Sequence, residues 1–92
     1  MKYQLLYIID NGLAEESKNE IVDKFSALIE SLGGTVDAVD KWGTKKLAYE
    51  IDGKTEGYYV LVKFTADANV PAEIDRQMRI NDSIVRQMIT RI

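Results

Sequence analysis

Few residue types in this chain could carry chemistry. Its 92 residues include neither histidine nor cysteine. That excludes an imidazole base, a Ser-His-Asp relay, a cysteine nucleophile, thiolate or imidazole metal ligation and any disulfide. Carboxylates remain, with Asp37 near Asp40 and Glu15 beside Glu16. Acid–base work needs such a pair held against one substrate with unequal environments. Nothing in these spacings asks for that, and a solvated surface accounts for them. No glycine-rich phosphate loop is present. Gly33-Gly34 closes a helical stretch, which is the wrong polarity for anion binding. What stands out is a pair of cations. In "WGTKKLAYEI", residues 42–51, Lys45 and Lys46 adjoin an apolar, strand-like run on a chain of net charge −3. Their chemistry is attraction of an anion such as phosphate.

The charge is unevenly spread. Leu13 to Leu32 holds Glu15, Glu16, Glu20, Asp23 and Glu30 against Lys18 and Lys24, a balance of −3. Arg76 to Ile92 holds four arginines against Asp82, a balance of +3, and Lys41, Lys45 and Lys46 form a second basic cluster. Such segregation suits a protein that meets an anion on one side and keeps acids on another. The length fits one domain, residues 1–92, and no linker, repeat or low-complexity stretch divides it. No run reaches the roughly 18 apolar residues of a membrane span. The start, "MKYQLLYIID", reads as a strand and not as a signal peptide, so a cytoplasmic protein is expected.

Elements must position these groups. Tyr3 to Ile9 alternates, with Tyr3, Leu5, Tyr7 and Ile9 on one wholly apolar face and Gln4, Leu6 and Ile8 on the other. Ile21, Val22, Phe25, Leu28, Ile29 and Leu32 fall on one helical stripe that ends at Gly33. Thr35 to Ile51 is strand material. Its alternation breaks between Val36 and Val39, so a bulge or twist is predicted before or at Trp42-Gly43. Beyond it, Leu47, Tyr49 and Ile51 are expected to anchor the strand in the core, while Gly43 bends it and displays the lysines. "DGKTEG", 52–57, reads as a turn, and Tyr58 to Thr65 as a strand with Tyr58, Val60, Val62 and Phe64 on its clean face. A second helix follows, with Pro71 in its first turn and Asn69 or Val70 as cap. Ser83 to Arg91 is a last strand whose inward face the pattern leaves open.

The order is β-α-β-β-α-β. That is a ferredoxin-like α+β fold, a four-stranded antiparallel sheet with two helices on one face. The clean faces of the first and third strands should meet the helices. The other face then carries Gln4, Leu6, Ile8, Tyr59, Leu61 and Lys63, an apolar patch with a cation beside it, suited to a partner. An RNA-recognition motif shares the element order. Here "EGYYVLVKF" puts Val60 where a stacking aromatic belongs, and Tyr58 and Tyr7 fall on the core side. A small ligand-sensing or enzymatic ferredoxin-like domain is the remaining alternative. The fold alone licenses no activity.

The stretches "KYQLLYII", "WGTKKLAYEI", "GYYVLVKF" and "RINDSIVRQMI" together resemble the bacterial small-subunit ribosomal protein S-six family over nearly the whole chain. The second and fourth carry the specific part of the likeness. The resemblance implies the same fold, no catalysis, no cofactor and no metal. It implies a structural place in the small subunit of the cytoplasmic ribosome. There the family joins ribosomal protein S-eighteen on the central domain of 16S ribosomal RNA, at the platform. It implies RNA contacts for Lys2, Tyr3, Lys45, Lys46, Arg79 and Arg86. The partner side falls to Trp42, Tyr59, Leu61 and Lys63. Two arginines are common in the family where Lys45 and Lys46 stand; lysine keeps the charge but not the planar bidentate fork. Proline is common where Glu50 stands, and Glu50 retains an N–H for the sheet.

Overall fold

A computed structural model describes residues 1–51 and 53–92. The chain folds as β1 (Lys2–Asp10), α1 (Glu15–Ser31), β2 (Thr35–Ile51), β3 (Lys54–Thr65), α2 (Val70–Arg79) and β4 (Ile84–Arg91). The strands form one sheet in the order β2-β3-β1-β4, every neighbouring pair antiparallel. The two strands joined by each helix therefore run in the same direction, with another strand between them. This is the expected ferredoxin-like arrangement, and the reason is period. Alternating apolar residues in β1 and β3 create one face that only the 3.6-period stripes of α1 and α2 can cover.

That covered face is the core. Tyr3, Leu5, Tyr7 and Ile9 of β1 meet Tyr58, Val60, Val62 and Phe64 of β3. Val22, Phe25 and Ile29 of α1, with Val70, Ile74 and Met78 of α2, close over them. Each fully buried side chain of this size contributes roughly 1.5–3 kcal/mol. Tyr3 stacks on Phe64 with ring centroids 5.5 Å apart. Tyr58 and Tyr7 lie in this core, as expected, so neither offers a ring for base stacking. Asn69 takes the cap position of α2, with Pro71 in its first turn.

Three elements differ from the sequence pattern. β3 begins at Lys54, so 54–57 are strand and not turn. Of the expected turn, Asp52 lies outside the described residues. Leu47, Tyr49 and Ile51 do not anchor β2 in the core. Leu47 and Ile51 are half-buried and Tyr49 is 60% exposed. β2 overshoots the helices, so no apolar layer lies beneath its far end. The bulge between Lys41 and Gly43 sets Lys45 on the uncovered face, and alternation from Lys45 carries these side chains to that face instead. In β4, a bulge opposite Ile8/Ile9 resolves the inward face. Ile84 pairs with Ile9 and Ile89 with Leu5, both against the core, while Arg86 and Met88 sit opposite Ile8 and Leu6 on the outer face.

The Tyr7 hydroxyl is buried without a hydrogen-bond partner among the described residues. Burial pushes its pKa up, and the nearby Tyr58 and Asp23 push the same way. Tyr7→Phe removes that unsatisfied group, whose burial costs about 1–3 kcal/mol. Urea denaturation at neutral pH should show equal or greater stability. The raised folded-state pKa means stability is full below about pH 10 and falls above it, as the unfolded hydroxyl ionises first. The same variant should therefore flatten that alkaline decline. A loss of stability at neutral pH would show that the hydroxyl is satisfied after all.

Candidate nucleic-acid interface

The uncovered face is built from alternate residues of all four strands. Leu6 and Ile8 lie beside Leu61 and Tyr59 in register, and Met88 and Arg86 flank them on β4. The far end of β2 adds Leu47, Tyr49 and Ile51, and together with Leu6, Ile8 and Tyr59 these line an apolar groove of about 180 Å³. Lys63 pairs with Gln4 further along the same face. Gly57 is opposite Asp10 and Lys45. A Cβ there would collide with Cγ2 of Ile8 and lie 3.3 Å from Leu47, so the bare glycine lets Ile8 lie across the strand.

Trp42 and Lys45 owe their placement to β2's irregularity. The predicted break is real, with register shifts between Val36 and Ala38 and between Lys41 and Gly43. Gly43 takes φ 84°, a left-handed conformation that costs an L side chain and that glycine adopts freely. The bulge lays the Trp42 ring over Tyr59, centroids 6.3 Å apart and planes 9° from parallel. The Trp42 indole N–H donates to Asp40 at 3.1 Å. Lys45 Nζ stands 5.5 Å from the Trp42 ring centre. On the other flank, the Arg86 guanidinium donates to the Tyr49 hydroxyl and lies 5.9 Å from that ring's centre. Two cations thus border an aromatic and aliphatic surface.

The proposed site residues are not all gathered there. Lys45 pairs with Gly57 and Lys46 with Glu56, so the two lysines project to opposite faces of the hairpin formed by β2 and β3. Arg79 ends α2 and reaches the same end of the molecule, since Asp10 N–H donates to the Ser83 carbonyl just beyond it. Its guanidinium pairs with Asp75 at 2.8 Å. Lys2 lies at the other end of the sheet, about 26 Å from Asp10 at ~3.3 Å per residue. Tyr3 is 7% exposed, and its hydroxyl donates to the Met1 sulfur at 3.2 Å. Its ring belongs to the core and not to a surface.

Among the described residues, ion pairs are confined to α2: Arg76 with Glu73 at 2.6 Å and Arg79 with Asp75. The hydrogen bonds from Arg76 and then Gln77 hold the Glu73 carboxyl down to about 2, and Glu73 in turn raises the Arg76 pKa. Burial, and then Glu15, push the Tyr58 hydroxyl up. Lys45, Lys46, Lys63 and Arg86 form no ion pair with a described carboxylate. Their charge is directed at solvent or at an incoming anion. No group of three or more metal-ligating side chains exists among the described residues, and no helix is long and apolar enough to cross a membrane.

Sequence reasoning missed Leu47, Tyr49, Ile51 and Met88 on this face, because their side is set by bulges and by where the helices stop. It also missed Lys18, which is 6% exposed. A signal for it existed: Lys18, Val22, Phe25 and Ile29 fall at i, i+4, i+7 and i+11, one turn of the apolar stripe extended backwards.

Fold and surface define the class: a ferredoxin-like α+β protein whose chemistry is that of a cation-bordered contact face and not of a catalytic centre. The comparisons narrow this. The model of the ribosomal protein S6 family matches residues 2–91. The chain is 48% identical over 91 residues to the small ribosomal subunit protein bS6 of Alkaliphilus oremlandii, across 99% of this chain and 96% of that one. It is 50% identical over 88 residues to bS6 of Clostridium botulinum strain 657, across 96% and 94%. The crystal structure of 30S ribosomal protein S6 from Thermotoga maritima superposes with a TM-score of 0.95 at 29% identity, covering 99% of this chain and 86% of that one. The chain belongs to the ribosomal protein S6 family, whose members are structural, non-enzymatic components of the small ribosomal subunit.

The open face makes one prediction of its own. Gly57→Ala forces Ile8 off its seat, and overpacking of this kind costs about 1–3 kcal/mol. Urea midpoints should fall accordingly, and Gly57→Ala combined with Ile8→Ala, which removes the colliding Cγ2, should cost less than the sum of the two single variants. An unchanged midpoint in the single variant would show that Ile8 is free to swing aside.

Proposed function

We propose that this chain is an assembly protein that binds 16S ribosomal RNA, at the platform of the central domain, jointly with ribosomal protein S-eighteen. The observation that carries it is the pairing of unneutralised cations with an apolar face at one end of the sheet. Lys45 and Arg86 border Trp42, Tyr59 and the groove beneath them. A few local cations suffice for phosphate affinity even on an acidic protein. An apolar surface with an aromatic centre suits a protein partner. Membership in a family of the small ribosomal subunit supports both halves.

In this proposal Lys45 and Arg86 meet phosphates from the open face and Lys46 from the opposite face of the hairpin, while Arg79 contributes from the end of α2. Lys2 makes a separate contact at the far end of the sheet. Tyr3 serves by holding the first strand under Lys2, since its ring is buried. Trp42, Tyr59, Leu61 and Lys63 receive the partner. The acids of α1 lie on the helix layer, away from this surface.

Lys45→Glu with Lys46→Glu should impair incorporation into reconstituted small subunits while leaving circular dichroism and melting unchanged. Each lysine on a phosphate should reduce the slope of log affinity against log salt by about 1. Full incorporation of the double variant would make the lysines surface filler, and a melted fold would make them structural. Tight single-stranded RNA binding indifferent to any partner would overturn the joint reading.

A further inference from the structure

Behind Trp42 and Lys45, on the opposite side of the sheet, lies a small polar cluster. Lys18, in the second turn of α1, is buried, and its ammonium donates to Asn11 Oδ1 at 3.1 Å. The Thr44 hydroxyl donates to the same oxygen at 2.7 Å. The Lys18 ammonium also sits 5.0 Å from the centre of the Tyr58 ring, and Tyr58 is the cross-strand partner of Thr44. It forms no ion pair with a described carboxylate. A second tie lies close by: Lys41 Nζ donates to Asn19 Oδ1 at 3.0 Å. Lys41 is thus tied to Asn19 of α1 and Thr44 to Asn11 of the preceding loop, which Lys18 joins to α1, and Trp42 and Gly43 lie between them.

A buried ammonium is an expensive way to fill this space. An apolar side chain of similar length would bury at lower cost. What lysine adds is a fixed donor. It orients the Asn11 amide so that its oxygen faces Thr44. Because side chains alternate through a strand, holding Thr44 on the helix side fixes Lys45 on the open side. Gly43 makes this necessary. Its left-handed bulge weakens the ladder where β2 leaves the helices, so backbone pairing alone holds the segment less firmly there.

We propose that Lys18, Asn11 and Thr44 are positioning residues. They pin the bulged segment of β2 to α1 and so hold Trp42 and Lys45 in place on the open face. The pin itself is independent of what binds that face. Its effect on assembly rests on the ribosomal reading above.

Thr44 is exposed, so its variants test the pin without threatening the fold. Thr44→Val keeps the shape and removes the donor; Thr44→Ser keeps the donor. Trp42 is the only tryptophan, so tryptophan emission reports this segment alone. In Thr44→Val the emission should shift to the red and acrylamide quenching should rise. Amide exchange over 40–46 should accelerate roughly two- to tenfold, the factor that corresponds to one net hydrogen bond. Thr44→Ser should restore all three, and Asn11→Ala should reproduce the valine result. Wild-type emission and exchange in Thr44→Val, or a serine variant that behaves like valine, would overturn the pin. If Trp42 loosens while incorporation into reconstituted small subunits stays at the wild-type level, the pin stands and the assembly role of that face fails.

Discussion

Two helices can cover only one face of a four-stranded sheet, and that single limit organises this molecule. β1 and β3 sort their largest apolar side chains to the face that α1 and α2 occupy. The other face is left with Leu6, Ile8, Tyr59, Leu61, Arg86 and Met88, which no element of the chain covers fully. Ile8 shows the compromise. It reaches 7% exposure on the open side because Gly57 offers no side chain to displace it. A surface this apolar, bordered by charge, is suited to a partner.

The second strand departs from the compact plan. It runs for 17 residues, longer than any other strand, and passes beyond the helices. Three register shifts let it curve, and the second, at Gly43, sets the phase that brings Lys45, Leu47, Tyr49 and Ile51 to the open face. The Tyr49 ring then meets Arg86 from the opposite edge strand. The hairpin end and β4 thereby become two walls of one groove, although they are not neighbours in the sheet. The stacked Trp42 and Tyr59 form a rigid floor beside it.

Charge follows the same division. α1 carries an acidic first turn where its dipole favours acids. α2 neutralises its own arginines through Glu73 and Asp75. The cations of the open face lack such partners among the described residues. An acidic chain can therefore still present a local cationic surface, because segregation matters more to an anion at close range than the sum does.

Much of this was legible in the residues themselves. The element order, the core faces of β1 and β3, both helical stripes and the bulge near Gly43 all follow from local period and backbone preference. Those are properties of neighbouring residues. "WGTKKLAYEI" marks the candidate site for the same reason: adjacent lysines after a glycine are a local fact. What the sequence could not decide was how far the helix layer extends. Tyr49 has a core-like spacing, but spacing does not say that the helices stop short of it. Nor could it show that a bulge in β4 would part Ile84 from Arg86, or that Lys18 would be buried against Asn11 and Tyr58. The sequence by itself determined which residues form strands and helices, which apolar faces need cover, and that catalysis by histidine or cysteine is excluded. Only the tertiary structure decided which cations share a surface. That outcome depends on strand register and on the reach of α1 and α2, and both are set by contacts between residues far apart in the chain.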